Sequence, residues 1–294
     1  MTKVRWAELL PWEFEKRQRV CPIVYVPFGL CEPHGQISAL GLDTIKADWL
    51  CDKSARRNGG IVAPTVGYTI HECGFHARWL EDEIGEGKPY MTSMPPDIVL
   101  SYFLYQLRSF ANAGFKGIIA VSGHSGGNQE DLRLAARRFS EATGIPVCVA
   151  SDPELVEGSF VGDHAGKYEI SQLLYLRPDL IDMKKAYLSS VPGSGGRLAL
   201  GEDYKEASAE LGQQIMHAAL KKLGEVAAEL AKKFSSYAKL EHGEQLPHIT
   251  YEQVEQIWLE IKEERASWTS CSPKPGQLSV SDESRWKSYE YLYS

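Results

Sequence analysis

The sequence predicts an α/β fold, a single three-layer domain with a parallel-rich central sheet flanked by helices. Short apolar runs rich in β-branched residues alternate with helical patterns through the first 180 residues. The runs at 23–29 and 117–123 are apolar throughout, as strands buried on both faces are. Each of these runs stops at glycine and leads into a segment carrying histidine and further glycine. Ligands of such sheets gather at the carboxyl ends of the strands.

Taken in order, Ile23-Val24-Tyr25-Val26-Pro27-Phe28-Gly29 is the first strand. Residues 43–57 read as a helix ended by Asn58-Gly59-Gly60, and 61–66 as a second short strand. A long loop rich in Gly, His and acidic residues is expected from 67 to about 95, and loops of that length are usually functional. Pro96-Asp97 opens a helix that runs to about 113, where Gly114 stops it. Residues 117–123 are the third strand, 128–143 a helix, Gly144-Ile145-Pro146 a turn and 147–150 the fourth strand. This alternation implies parallel strands with helical crossovers.

Further on, 204–237 has Leu211, Ile215, Ala218, Leu220 and Leu223 at helical spacing. A Thr250–Gln253 capping box opens another helix over 250–266. Core or subunit packing suits both. The domain is expected to span 1–266. Residues 267–294, rich in Ser, Pro, Trp and Tyr, form an arm laid across a neighbour or a partly disordered tail.

The 43% hydrophobic and 24% charged content is that of a soluble globular protein. A net charge of −7 gives no electrostatic reason to expect nucleic acid or an anionic membrane as partner. No apolar run reaches transmembrane length, and the first residues lack a signal-peptide core. Six cysteines without zinc-ribbon spacing or disulfide density fit a reduced, cytoplasmic setting.

Three motifs carry chemistry. Glu32 and His34 are two apart, so in extended chain they point to the same side, and Asp43 begins the following helix. Two carboxylates and an imidazole at a strand end suit zinc, manganese or iron, and water held there becomes a hydroxide source near neutral pH. The third strand runs into Ser122-Gly123-His124-Ser125-Gly126-Gly127-Asn128. No Lys-Ser/Thr pair follows, which excludes a P-loop, while the amides after Asn128 suit an anion or a developing oxyanion. Finally, Gly162-Asp163-His164-Ala165-Gly166 precedes a helical stretch with Glu169 on its first turns. These motifs point to a metal-dependent hydrolase.

The motifs resemble those of the creatininase (creatinine amidohydrolase) family. Glu32-Pro33-His34-Gly35, Leu40-Gly41-Leu42-Asp43-Thr44, Gly123-His124-Ser125-Gly126-Gly127-Asn128 and His164-Ala165-Gly166-Lys167-Tyr168-Glu169-Ile170-Ser171 stand in the family's order over roughly 20–180. The resemblance implies a two-metal hydrolase, with two divalent ions per subunit (Zn, Mn or Fe) bridging a hydroxide. It makes Glu32, His34, Asp43 and His124 the ligands, with Asp43 bridging. Glu169 is either a further ligand or a catalytic support, and His164 the acid/base that carries the proton to the leaving group, with Asp163 available to orient it. It also implies a small-molecule substrate and a homo-oligomer, a hexamer by family.

Departures shape the expected substrate. Creatininase carries a carboxylate where this chain has Gly126, and tryptophans before the His-Ala-Gly motif where this chain has none between Trp79 and Trp258. Creatinine is therefore not the expected substrate. The segment 71–79 replaces the family's His-x-x-Phe-Pro-Gly-Thr loop, so His71, Glu72, His76 and Arg78 are either substrate-selecting groups or simply part of a polar surface loop; Ser125, Gly126 and Asn128 are further candidates for substrate binding. The expected reaction is C–N cleavage in a small cyclic or linear amide. The alternatives are C–C hydrolysis of a cyclic diketone such as a diketo-inositol, and metal binding without catalysis.

Overall fold

The computed structural model describes residues 3–190, 197–235 and 248–287. In order the elements are α1 (Pro11–Val20), β1 (Ile23–Phe28), α2 (Leu42–Asn58), β2 (Ile61–Val62), β3 (Thr69–Ile70), α3 (Phe75–Glu83), β4 (Ser93–Met94), α4 (Pro96–Asn112) and β5 (Gly117–Ser122). Then come α5 (Asn128–Thr143), β6 (Val147–Ser151), α6 (Asp152–Leu155), α7 (Lys167–Leu176), α8 (Ala209–Ser235) and α9 (Tyr251–Glu263).

The main sheet is parallel throughout in the order β2-β1-β5-β6. β1 and β5 lie at its centre, and every residue of both is buried. Alternate residues of each strand face opposite layers. Val24, Val26, Phe28, Ile118 and Ala120 meet Phe103, Leu107, Leu132, Phe139 and Val254 of α4, α5 and α9. Ile23, Tyr25, Ile119 and Val121 meet Leu50, Cys51, Ala55, Ile215 and Ala219 of α2 and α8. Burial of such side chains contributes about 1.5–3 kcal/mol each. The apolar runs are continuous because helices cover both faces. Register aligns Phe28 with Ser122, so the segments after β1 and β5 leave the sheet side by side.

The fold departs from expectation in several places. The segment expected as a loop from 67 to 95 contains β3, α3 and β4. The buried stripe of α3 is short (Phe75, His76, Ala77, Leu80), and charge at Glu81, Asp82 and Glu83 hides its period. The second strand is two residues long, with Val66 joined to Phe28 by an isolated bridge. α1 was not anticipated, because its residues are largely polar and none is buried. A 3-10 turn occupies Tyr204–Glu206 and the long helix starts only at Ala209, where the Leu211 N–H donates to Ser208 Oγ (3.1 Å). Positions 236–237 of that expected helix lie outside the described residues.

Through residue 287 the segment after α9 packs as an ordered arm on its own chain. Trp268 and Trp286 are fully buried. Asp131 on α5 accepts from the Thr269 and Ser270 N–H groups (2.7 and 3.0 Å). The arm then follows α3: the Phe75 N–H donates to Ser272 O (3.2 Å), Gln277 Nε2 to Phe75 O (2.9 Å) and Trp286 Nε1 to Gly85 O (2.8 Å). Among the described residues no helix is long and apolar enough to cross a membrane.

Candidate metal centre

Five side chains converge where β1 and β5 end. Glu32 and His34 follow β1, His124 follows β5, Asp43 lies in the first turn of α2 and Glu169 in the first turn of α7. All five are buried. Two glycines permit the convergence. A Cβ at Gly29 would stand 2.3 Å from Thr44 Cα, and one at Gly123 2.0 Å from Asp43 O. The start of α2 therefore sits directly on the two strand ends.

Asp43 divides the cluster in two. Its Oδ2 faces His124 Nδ1 at 3.5 Å, and that nitrogen lies 2.8 Å from Glu32 Oε1. Its Oδ1 faces His34 Nε2 at 3.6 Å, which lies 3.3 Å from Glu169 Oε2. Ligand atoms about 2.1 Å from one tetrahedral ion stand about 3.4 Å apart. Both Asp43 oxygens, His34 Nε2, Glu32 Oε2 and His124 Nε2 are buried without a hydrogen-bond partner. The two orphaned Asp43 oxygens, each facing an imidazole and a second carboxylate, fit divalent cations, and the carboxylate–imidazole mixture suits zinc, manganese or iron. His34 Nδ1–H donates to Glu32 O (3.0 Å), which leaves Nε2 as the ligating nitrogen.

Burial alone would discharge His34, yet Asp43 and Glu169 outweigh it and hold its pKa well above the ordinary imidazole value. Burial likewise opposes charge on His124, but Glu32 and Asp43 raise it to about 10. Asp43 is held well below the usual carboxylate range, since Lys46 and the two histidines overcome its desolvation. Glu169 falls to about 2, Lys46 and His34 prevailing over burial.

Lys46 and Asp152 belong to this cluster and were missed from sequence. The Lys46 ammonium donates to Glu169 Oε1 (2.6 Å) and lies 3.3 Å from Asp152 Oδ1 and 3.5 Å from Asp43 Oδ1. Asp152 Oδ2 accepts from Gln172 Nε2 (2.8 Å) and Tyr168 Oη (3.1 Å). The available signal was position: Lys46 follows Asp43 by three residues on the face of α2 that also buries Leu42, Ala47 and Leu50.

A cavity of about 720 Å³ opens onto the cluster, and His71, His76, Trp79, His124, Ser125, Gly126, Gln129, His164, Glu169, Lys274 and Gln277 are among the residues lining it. His164 Nε2–H donates to Pro33 O (3.1 Å), its ring stacks on His34 (centroids 4.8 Å) and Trp79 meets it edge-on (5.0 Å). His71 stacks on His76 at 4.1 Å. Burial and the neighbouring imidazoles push both rings well below the ordinary imidazole pKa. The Glu72 N–H donates to His71 Nδ1 (2.8 Å) from a residue at φ +63°, so the proton of the neutral ring sits on Nε2. His71, His76 and His124 also stand close enough to share an ion, but His71 Nε2 then carries a proton rather than a lone pair.

Other expected site residues lie elsewhere. Arg78 does not line the cavity: it pairs with Glu81 and Asp82 on its own helix and donates to Ser279 O of the arm. Glu72 lies off the cavity lining, its part being the backbone bond to His71. Asn128 is buried beneath the loop, donating to Thr69 Oγ1 and Ser122 Oγ. Asp163 does line the cavity, but its carboxylate accepts from the N–H groups of Gly166, Tyr168 and Glu169 at the start of α7 rather than from His164. The cavity does have its tryptophan, but from α3 ahead of the middle loop. Lys274 and Gln277, from the arm, were not anticipated because nothing in a proline-rich tail marks what it touches.

A carboxylate–imidazole cluster at the carboxyl edge of a parallel sheet lies where ligands of such folds gather and is chemically suited to a divalent cation. The family model for creatinine amidohydrolase matches residues 7–227, and the chain belongs to the creatininase family, a family of hydrolases. It is 26% identical over 208 residues to creatinine amidohydrolase of Pseudomonas putida, covering 63% of this chain and 76% of that one. With 3-dehydro-scyllo-inosose hydrolase of Thermotoga maritima it shares 23% over 137 residues, 47% of this chain and 40% of that one. A crystal structure of creatinine amidohydrolase superposes with a TM-score of 0.65 at 21% identity, covering 78% of this chain and 98% of that one. A structure named Creatininase Mn gives 0.64 at 23%, with 77% and 98% covered.

Proposed function

We propose that the protein is a hydrolase dependent on two divalent metal ions that cleaves a C–N bond in a small cyclic or linear amide. The observation that carries this is Asp43, whose two buried oxygens each face a separate imidazole–carboxylate pair. Glu32 and His124 would hold one ion and His34 and Glu169 the other, with Asp43 shared between them. The similarity to manganese and zinc forms of creatininase supports manganese or zinc, and the donor set also suits iron. When bound, such ions lower the pKa of water toward neutrality and polarise a carbonyl.

The chain's own residues do the rest. With His164 Nε2–H held by Pro33 O, Nδ1 is the atom that takes up and releases a proton on the way to the leaving nitrogen. His71 offers Nε2–H beside Glu32, a neutral donor for a substrate oxygen. Trp79 packs edge-on against His164 in the cavity wall and would give a flat substrate a surface to lie on.

A second reading, C–C hydrolysis of a cyclic diketone, is favoured by the similarity to the inosose hydrolase. The test is metal content of protein purified without chelator, beside Asp43→Ala and His164→Ala variants, followed by product analysis on amides and cyclic diketones. About two ions per chain, lost with Asp43→Ala and kept with His164→Ala, together with a released amine, is expected. A nitrogen-free keto acid selects the second reading, and a chain that takes up no zinc or manganese overturns both.

A further inference from the structure

The charged lining of the cavity is lopsided. Besides Glu32 and Glu169 it includes Glu154, Glu157 and Asp163, from α6 and the segment leading into α7. Among the described residues of that lining Lys274 is the one lysine or arginine. Its ammonium is exposed, rests on the Phe75 ring at 4.4 Å and, among the described residues, pairs with no carboxylate. The backbone that carries it is fixed. Lys274-Pro275-Gly276-Gln277 is a tight turn in which proline sets the second position, Gly276 takes the φ of +76° needed at the third, and the Gln277 N–H donates to Lys274 O (3.0 Å). The Gln277 side chain clamps this turn, Oε1 accepting from the Lys274 N–H (3.0 Å) and Nε2 donating to Phe75 O (2.9 Å). From Phe75 the wall leads through His76 (ring centres 4.0 Å apart) to His124 (5.9 Å). Two polar groups on the lining, His76 Nδ1 and Gln129 Oε1, have no partner although their residues are only 4% and 6% exposed. Gln129 Nε2 reaches Ser125 O only at 3.5 Å. Buried polar groups left in this way await a ligand.

We propose that Lys274 selects substrates that carry a carboxylate: the molecule cut at the cluster is an amide with an acid group at the end remote from the scissile bond. This deepens the amide-hydrolase reading above and rests on it. The carboxylate sits on the Lys274 ammonium, the Gln129 amide turns to one of its oxygens, and the carbonyl to be cut reaches the cluster past His76. A single ammonium beside Glu154, Glu157 and Asp163 balances one negative charge, whereas a phosphate dianion meets more repulsion than attraction there. A neutral amide leaves the ammonium without a partner and gains nothing from it. The preference is worth more than an exposed ion pair and less than a fully buried charge-assisted bond, about tenfold in affinity.

Matched pairs of small amides, offered to metal-loaded full-length protein, test this: butyrolactam against pyroglutamate, hydantoin against hydantoin acetate, and butyramide against succinamate. Binding is read by calorimetry and cleavage by release of the amine or ammonia. In at least one pair the carboxylate member should bind about tenfold more tightly, the difference lying in KM rather than kcat. Lys274→Met should bring the two members of that pair to within about twofold of each other, and Lys274→Arg should keep the preference. Inorganic phosphate should compete no better than chloride. Metal content of each variant, measured by mass spectrometry, separates a lost anion contact from a damaged cluster. Equal binding within every pair, no binding of any member, or a preference that survives Lys274→Met overturns the proposal, while the metal-hydrolase reading stands wherever metal is bound and a neutral amide is cut. Carboxylates held through Lys274 with only a cyclic diketone cut bring down the amide reading and this proposal with it.

Discussion

Metal uptake should expel protons, and its affinity should climb with pH. In the metal-free protein His34 and His124 are charged, because the carboxylates around them outweigh the burial that opposes charge. A ligating imidazole must be neutral, so each ion that displaces such a proton binds tenfold more tightly per pH unit, about 1.4 kcal/mol. From pH 6 to 8, below the His124 value of about 10, each site should therefore gain about 100-fold. The same charges act on folding. Their pKa values are raised above the unfolded value of about 6.5, so their stabilisation of the metal-free fold is complete below that pH. As pH rises through about 10, the His124 share is lost. Metal-free protein should melt progressively lower over that window, and metal-loaded protein, whose imidazoles carry no such proton, should not by this route. Calorimetric titration with Zn²⁺ at pH 6, 7 and 8, in buffers of contrasting ionisation heat, counts the protons directly. About one per ion is expected. An affinity that is flat across this range with no proton release would refute the charge assignment.

Three further outcomes follow from single contacts. At Gly126 a Cβ would lie 2.3 Å from His76 Nε2 and 2.7 Å from His124 Nε2, so Gly126→Ala should displace both rings and weaken metal binding about 10–100-fold, read by calorimetry. His164→Asn should lower kcat about 10²–10⁴-fold while metal content measured by mass spectrometry stays at the wild-type value. Trp286→Ala removes a fully buried side chain that ties the arm to Gly85 and should cost about 3–5 kcal/mol in urea unfolding; a cost near zero would show that the arm does not hold α3.

The five clustered side chains were legible in sequence because each follows a strand end or opens a helix, where glycine and a change of period mark the chain. β1 and β5 were legible for the same reason: burial on both faces leaves an uninterrupted apolar run. α3 was not, since its short buried stripe includes a histidine and Trp79 beside it faces the cavity, so the face turned to the cavity disguises an amphipathic one. Lys46 read as an ordinary helical lysine; only the meeting of α2, α6 and α7 gives it three acidic partners. Arg78 misled because an arginine in an unusual segment suggests an anion, whereas acids three and four residues on satisfied it. Long-range contacts decide such cases, and local pattern does not record them.

The arm from Trp268 to Lys287 lies beyond the stretch that the family model matches, yet it fastens α3 and brings Lys274 to the cavity, the ammonium resting on the Phe75 ring at 4.4 Å. The cavity is thus assembled from two stretches of unlike standing: the carboxylate–imidazole cluster lies inside the matched 7–227, while Lys274 and Gln277 come from a strap beyond it. On the function proposed above, that strap together with α3 is the natural unit to graft onto a relative when substrate choice is to be changed and the proposed ligands left untouched.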